Sequence, residues 1–251
     1  MSVKPAMKYI ALGVLAYGAF LVATFPAEQA LNLMRDQLKG VYLQNVSGTV
    51  WRGRVARLQI GDQAFEHVSW SVSPLSLVSG ALGLDVTFDG AGRSGEGEVR
   101  LGADGSIGLR DFHGKVAMMD IDQLLGIAPV KLGGLLQLEL ENLDALGKSL
   151  KAADGVVRWQ EAEVKAPMAM ELGNFVVTLK STDAGVEGVV KDEGGPLQVD
   201  GVVKLSQEGH YRFTGHIAVR DKQNRMLLQG VRALGTMGAD GRVAVEFEGQ
   251  L

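Results

Sequence analysis

Cysteine is absent from this 251-residue chain. Disulfides, thiolate zinc sites and cysteine nucleophiles are thereby excluded. The absence says little about compartment, since an exported protein need not form disulfides. Proline is scarce at 6 residues, and only 4 histidines are present. His67 stands near Trp70, His113 precedes a glycine, and His210 and His216 share one strand candidate. Six residues apart along a strand is about 20 Å, so that last pair cannot share one ion. There is no H-E-x-x-H, no G-x-S-x-G and no Walker motif. The G-x-G at Gly95-Glu96-Gly97 lies between strand candidates and opens no helix, so it reads as a turn rather than a dinucleotide site. The carboxylate pairs Glu96/Glu98 and Glu246/Glu248 share strand faces but have no predicted cleft. No catalytic, cofactor-binding or metal site is expected, and the chain does not read as an enzyme. A net charge of −4 and a pI of about 5.6 lack the dense basic field that a nucleic-acid backbone requires.

What the chain has is glycine, 34 residues of it, punctuating short apolar segments. With 46% hydrophobic residues it can build a real core, as one large β domain or two smaller ones. Beyond position 40 the apolar period is mostly two. Leu84, Val86 and Phe88 alternate with Asp85, Thr87 and Asp89; Leu136, Leu138 and Leu140 alternate with Gln137, Glu139 and Glu141. Phe175 to Lys180 and Val243 to Glu248 repeat the pattern. Period two gives strands with one apolar and one wetter face, as in antiparallel sheets. Asp104-Gly105, Glu208-Gly209 and Asp240-Gly241 mark turns, because glycine accepts positive φ at no steric cost.

Two pairs of stretches look alike in the same order: Leu43–Leu58 with Leu150–Ala166, and Gly97–Leu109 with Gly201–Phe213. A tandem duplication is one reading; the other is that all glycine-turn hairpins look alike. Repeated β units cannot bury their apolar faces alone, so they would extend one curved sheet or stack. The internal boundary is placed between 115 and 135, near the short candidate helix IDQLLG.

The N-terminal Tyr9–Phe25 segment carries no charged side chain and runs about 17 residues, the lower limit for a spanning helix. Lys4 and Lys8 precede it, which favours a cytoplasmic start. A cleavable signal fits less well, because Phe25 is too large for the cleavage site and Pro26 follows at once. A buried core helix is the third reading. Gly13 and Gly18 lack the G-x-x-x-G spacing of close helix pairs. Ala30, Leu31, Met34 and Leu38 suggest a short amphipathic helix over 27–38. The expected fold is therefore mainly β: one N-terminal transmembrane helix, then a curved, largely antiparallel, repeated β-sheet domain. The divisions are a cytoplasmic N-terminus over 1–8, an anchor over 9–25, a helical connector over 26–40, and β repeats over 41–125 and 126–251.

Arg52, Arg54 and Arg57 form the densest basic patch. It is a candidate contact for an acidic partner or lipid heads, or simply a solvated face. Trp51, Trp70 and Trp159 are expected to pack on the sheet. The W-x-G of Trp51 to Gly53, followed by W-x-x-x-P-x-x-L from Trp70 through Pro74 to Leu77, has a specific look. With KLGGLLQLEL (131–140), DGVVRWQEAEV (154–164) and GGPLQVDGVVKL (194–205), the chain resembles protein N of the bacterial type II secretion system, also called the general secretory pathway.

The resemblance implies a non-enzymatic, single-pass inner-membrane accessory or scaffold with its β domain in the periplasm, supporting export of folded proteins across the outer membrane. Its implied partners are inner-membrane platform proteins, above all the C protein, then the secretin, with membrane phospholipid around the anchor. The alternative function is binding or transfer of a lipid or other hydrophobic ligand in an apolar β groove lined by Leu84, Val86, Phe88, Leu136, Leu138 and Leu140. Those residues would otherwise close a dry core. An envelope hydrolase is a third class, which no motif supports.

Overall fold

The computed structural model describes residues 4–34, 40–60, 63–73, 76, 81–90, 92–120, 130–147 and 149–250. Two helices, α1 (Lys4–Ala23) and α2 (Ala27–Met34), precede the sheet. The strands are β1 (Val41–Gln44), β2 (Ser47–Gly48), β3 (Arg52–Ile60), β4 (Gln63–Ser73), β5 (Ala81–Gly90), β6 (Arg93–Gly102) and β7 (Ser106–Ala117). A 3-10 turn at Met118–Asp120 follows. Then come β8 (Lys131–Leu146), β9 (Ser149–Ala166), β10 (Met170–Thr182), β11 (Gly185–Asp192), β12 (Leu197–Ser206) and β13 (His210–Val219). Helix α3 (Arg225–Leu234) and β14 (Val243–Gln250) complete the chain.

The expected anchor is overturned. Among the described residues no helix is long and apolar enough to cross a membrane. Helix α1 takes Lys4 and Lys8 into its first turns and stops at Ala23. Its uncharged part, from Tyr9 to Ala23, rises only about 22 Å at 1.5 Å per residue, against a hydrocarbon core of about 30 Å. Phe25 and Pro26 belong to the β domain instead: the Phe25 carbonyl accepts from Val50 N at 3.0 Å, and Pro26 forms an antiparallel bridge with Thr49. The single-pass inner-membrane placement, with a cytoplasmic start and a periplasmic β domain, falls with the anchor from which it was drawn.

The curved, antiparallel, repeated β sheet is as expected. Among the described residues, all strands join one 14-stranded sheet in which each strand from β3 onward pairs with the next in sequence; β1 and β2 both pair with β3. The sheet is continuous from one half of the chain to the other across β7, β8 and β9. Residues 121–129, including the IDQLLG candidate, lie outside the described residues.

Turn chemistry follows the sequence. Gly105 sits at φ +83° and donates to Gly102 O at 3.0 Å, while Asp104 Oδ1 accepts from Ser106 N at 3.0 Å. Irregularities in the ladder bend the strands. Register shifts fall at Glu96/Glu98 in β6, at four places between β8 and β9, and around Gly173 in β10. His67, Asp111 and Glu161 take positive φ within their strands. An extra residue in one strand tightens the local twist and curves a sheet.

The period-two pattern becomes a continuous row. From β5 to β14 the register joins Phe88, Gly95, Gly114, Leu138, Val157, Val177, Val190, Gly201, Gly215 and Val245. The glycines in it seat aromatic rings. A Cβ on Gly95 would lie 2.5 Å from Phe88 Cζ, and one on Gly201 would lie 2.6 Å from Phe213 Cζ. The tightest packing is at the C-terminal end. There Leu227 and Val231 of α3 close over Phe175, Leu197, Val199, Val219, Val243 and Val245, and Val243 is 0% exposed. Helix α3 starts where Asn224 Oδ1 accepts from Leu227 N at 3.1 Å, the usual N-cap role of asparagine.

Candidate functional site

The W-x-G motif forms the joint between the helices and the sheet. Trp51 Nε1 donates to Val22 O at 2.7 Å, in the last turn of α1. Trp51 O accepts from Val72 N at 2.7 Å, and Trp70 Nε1 donates to Val50 O at 3.1 Å. Gly53 lies opposite Trp70 in the β3–β4 register. A Cβ on Gly53 would fall onto the indole, 2.6 Å from Cη2, so only glycine leaves room for the ring. Ala27, at the start of α2, is buried in the same joint. Pro74 and Leu77, the rest of the motif, lie outside the described residues. Trp159 is placed elsewhere: its indole N–H donates to Gly133 O at 2.9 Å and its ring packs at 5.8 Å from Phe175.

The three arginines do not act alike. Arg52 and Arg54 are exposed and lie opposite Ser71 and Ser69, on one face of β3 and β4. Arg54 Nε also donates to Ser47 Oγ at 3.3 Å. Arg57 faces a carboxylate, with Glu66 Oε1 at 3.9 Å from its guanidinium. The basic patch offered outward is thus centred on Arg52 and Arg54.

Leu84, Val86, Phe88, Leu136, Leu138 and Leu140 are brought onto one connected stretch of the sheet. Phe88 and Leu138 share the long row above, Val86 pairs with Trp70, and Leu140 pairs with Phe112. Leu140 is 5% exposed, whereas the other five are half-buried. Phe65 meets Phe88 edge to face at 5.3 Å.

The opposite face carries charge. Arg54, Ser69, Thr87, Glu96, His113 and Glu139 form one register row across β3 to β8. A shallow depression of about 410 Å³ opens around Thr87, Glu96, His113 and Glu139. Glu139 is held by Arg158 at 2.9 Å, and His113 Nδ1 is 3.2 Å from Asp111 O. No cluster of three or more metal-ligating side chains occurs among the described residues. Glu98, beside that row, binds Arg100 at 2.9 Å through both oxygens, and this pairing pulls its carboxyl below the usual range against the effect of burial. The other carboxylate pair, Glu246 and Glu248, shares one cation, Arg212, at 3.5 and 3.0 Å.

Two features escaped the sequence reading. One is α3, whose signal was Asn224 as a cap followed by Leu227, Leu228, Val231 and Leu234 at helical spacing. The other is a clasp at the β11–β12 turn. Asp192, with a side chain only 10% exposed, accepts from Arg220 and from Val199 N and Gly194 N at 3.0 and 3.2 Å. Arg220 also donates to Gly195 O and Leu197 O, both at 2.9 Å. Burial pushes the Asp192 carboxyl up, but Arg220 and the two amides outweigh it and hold it below the usual carboxylate range.

The chain is thus a curved antiparallel sheet with two broad faces and a long final edge. The sequence comparisons make this specific. The family profile described as type II secretion system (T2SS), protein N, matches residues 39–246, and the chain belongs to that family. The type II secretion system protein N of Aeromonas hydrophila is 26% identical over 99% of this chain and 100% of its own length. That of Pectobacterium carotovorum subsp. carotovorum is 23% identical, over 95% of this chain and 94% of its own. No solved structure shows significant similarity. Membership makes the chain a non-enzymatic component associated with the type II secretion apparatus.

Proposed function

We propose that this chain is a scaffold of the type II secretion apparatus, holding other components through its sheet surfaces. One observation carries the reading: the family match spans nearly the entire sheet, β1 to β14, so the family's role attaches to the sheet itself. Within the apparatus the platform proteins, above all the C protein, are the first candidate partners, and the secretin the second. Arg52 and Arg54 supply a positively charged contact for an acidic surface. The row from Leu84–Phe88 to Leu136–Leu140 serves as the apolar backing that keeps the curved sheet in shape. The hairpins β6–β7 and β12–β13 are read as equivalent parts of a duplicated unit.

The test is in-cell crosslinking of the tagged full chain in a bacterium assembling the apparatus, followed by identification of the crosslinked proteins and a secretion assay on a deletion strain. Enrichment of platform proteins or secretin, together with a secretion defect restored by the intact gene, is the expected result. Normal secretion in the deletion strain and no apparatus component among the crosslinks would remove the scaffold reading.

A further inference from the structure

The two ends of the sheet are finished differently. At the N-terminal end the edge is short and, beside β2, covered. Strands β1 and β2 are four and two residues long, α2 packs against β2, and Pro26 lies alongside Thr49. Short strands, an edge proline and a covering helix are the usual devices that stop a sheet from recruiting another chain. At the C-terminal end β14 runs eight residues, from Val243 to Gln250, with no proline. Its inner side pairs with β13 throughout, and on its outer side the only bridge among the described residues is Met237 to Val243. That bridge engages Ala244 as well; among the described residues, no strand pairs with the outer backbone groups of Glu246 and Glu248, which can take a further strand.

We infer that the β14 edge takes up a β-strand of a partner protein in which basic residues alternate with apolar ones. This rests on the scaffold reading and specifies its contact. Residues on β14 alternate in the same way. Glu246 and Glu248 stand on one face with side chains 60% and 69% exposed, two carboxylates with Arg212 as their shared cation. Phe247 stands on the other face, 44% exposed and stacked on Phe213 at 6.3 Å. Helix α3 covers Val243 and Val245 but leaves that aromatic end open. A strand added beside β14 places its side chains directly opposite these. The positions facing Glu246 and Glu248 favour lysine or arginine, and the position facing Phe247 favours an aliphatic or aromatic side chain.

A second copy of this chain is a poor occupant. A two-fold antiparallel pairing of β14 centred on Phe247 sets Glu246 of each copy against Glu248 of the other, and like charges directly opposite oppose pairing. Head-to-tail pairing meets an N-terminal edge whose strands are only four and two residues long.

The test uses the full chain and a fluorescein-labelled peptide of about ten residues alternating Lys with Val and Phe. A second peptide carries Glu for Lys. A third is the Lys peptide with alternate backbone amides N-methylated on its pairing edge. Fluorescence anisotropy is expected to show the Lys peptide binding about tenfold or more tighter than the Glu peptide, with N-methylation abolishing binding. The E246K/E248K variant, with its fold checked by far-UV circular dichroism, is expected to reverse the order. Equal binding of the N-methylated peptide, or an unchanged order in the variant, overturns the proposal. So do wild-type dimers in sedimentation that are lost in F247K. Crosslinking to the apparatus that persists without peptide binding removes this edge contact and leaves the scaffold; loss of all apparatus crosslinks removes the scaffold itself.

Discussion

Replacing Gly53 with alanine tests why the W-x-G motif has its form. The new methyl group would overlap the Trp70 ring, with Cη2 2.6 Å away, and all three nearest atoms belong to that one indole. Backbone strain does not enter, because Gly53 has no positive φ. The ring must therefore move. Overpacking of this sort costs about 1–3 kcal/mol. Displacing the indole also breaks its hydrogen bond to Val50 O, a further loss of about 1 kcal/mol. Gly53→Ala is expected to lower stability by about 2–4 kcal/mol, read as a fall in the urea midpoint with an unchanged slope. Trp70→Ala removes the ring and should itself cost about 3 kcal/mol, the lower end of the range for a buried tryptophan. The double variant should then be hardly worse than Trp70→Ala alone, because the added methyl meets empty space. A Gly53→Ala loss below about 0.5 kcal/mol, or full additivity of the two substitutions, would refute the account.

Strand period, turn glycines and the antiparallel class were legible because they rest on local rules. Leu136–Leu140 alternates because both faces of one strand have fixed environments, and Asp104-Gly105 turns because of its own two residues. The limits of α1 were not local. The run Tyr9–Phe25 looks like a minimal span, but its end is taken by residues far along the chain: Val50 N binds Phe25 O, Trp51 binds Val22 O, and Thr49 pairs with the following Pro26. Hydropathy assigns Phe25 to a helix; a hydrogen bond from Val50 assigns it to the joint. The strand glycines were equally misleading. Gly95 read as part of a turn and Gly201 as the start of a hairpin, but they are seats for Phe88 and Phe213 one strand away. Such a seat shows only once register is known. The basic run Arg52–Arg57 was visible as composition, but Glu66 on the neighbouring strand sets Arg57 apart from the other two. The clasp between Asp192 and Arg220 joins residues 28 apart in sequence, and no spacing rule announces it.

The remaining expectations can be measured on the full chain. Trp51→Phe keeps an aromatic ring, though a smaller one, but removes the donor to Val22 O, so amide exchange in the last turn of α1 should quicken, with about 1 kcal/mol or more lost; unchanged protection there would show that the bond does not hold the joint. Asn224→Ala should cost about 1 kcal/mol through loss of the α3 cap, seen as a lower thermal midpoint. Leu140→Ala should cost about 2–4 kcal/mol, and more than Leu138→Ala, because only Leu140 is fully buried. For Asp192→Asn, the quantity to follow is the stability gap to wild type as pH falls. The Asp192 carboxyl is depressed in the folded chain relative to the unfolded one. Its ionised form therefore adds stability above the unfolded value of about 3.9, and that contribution disappears as pH falls through the lower folded value. Asparagine keeps one acceptor oxygen, enough for the Val199 amide or the Gly194 amide but not both, and carries no charge for Arg220. The gap should be widest near neutral pH, hold down to about pH 4, and close below it. Urea titrations at a series of pH values would show this directly. A gap that stays constant into acid, or widens there, would mean that the shape of the side chain, and not its charge beside Arg220, closes the β11–β12 turn.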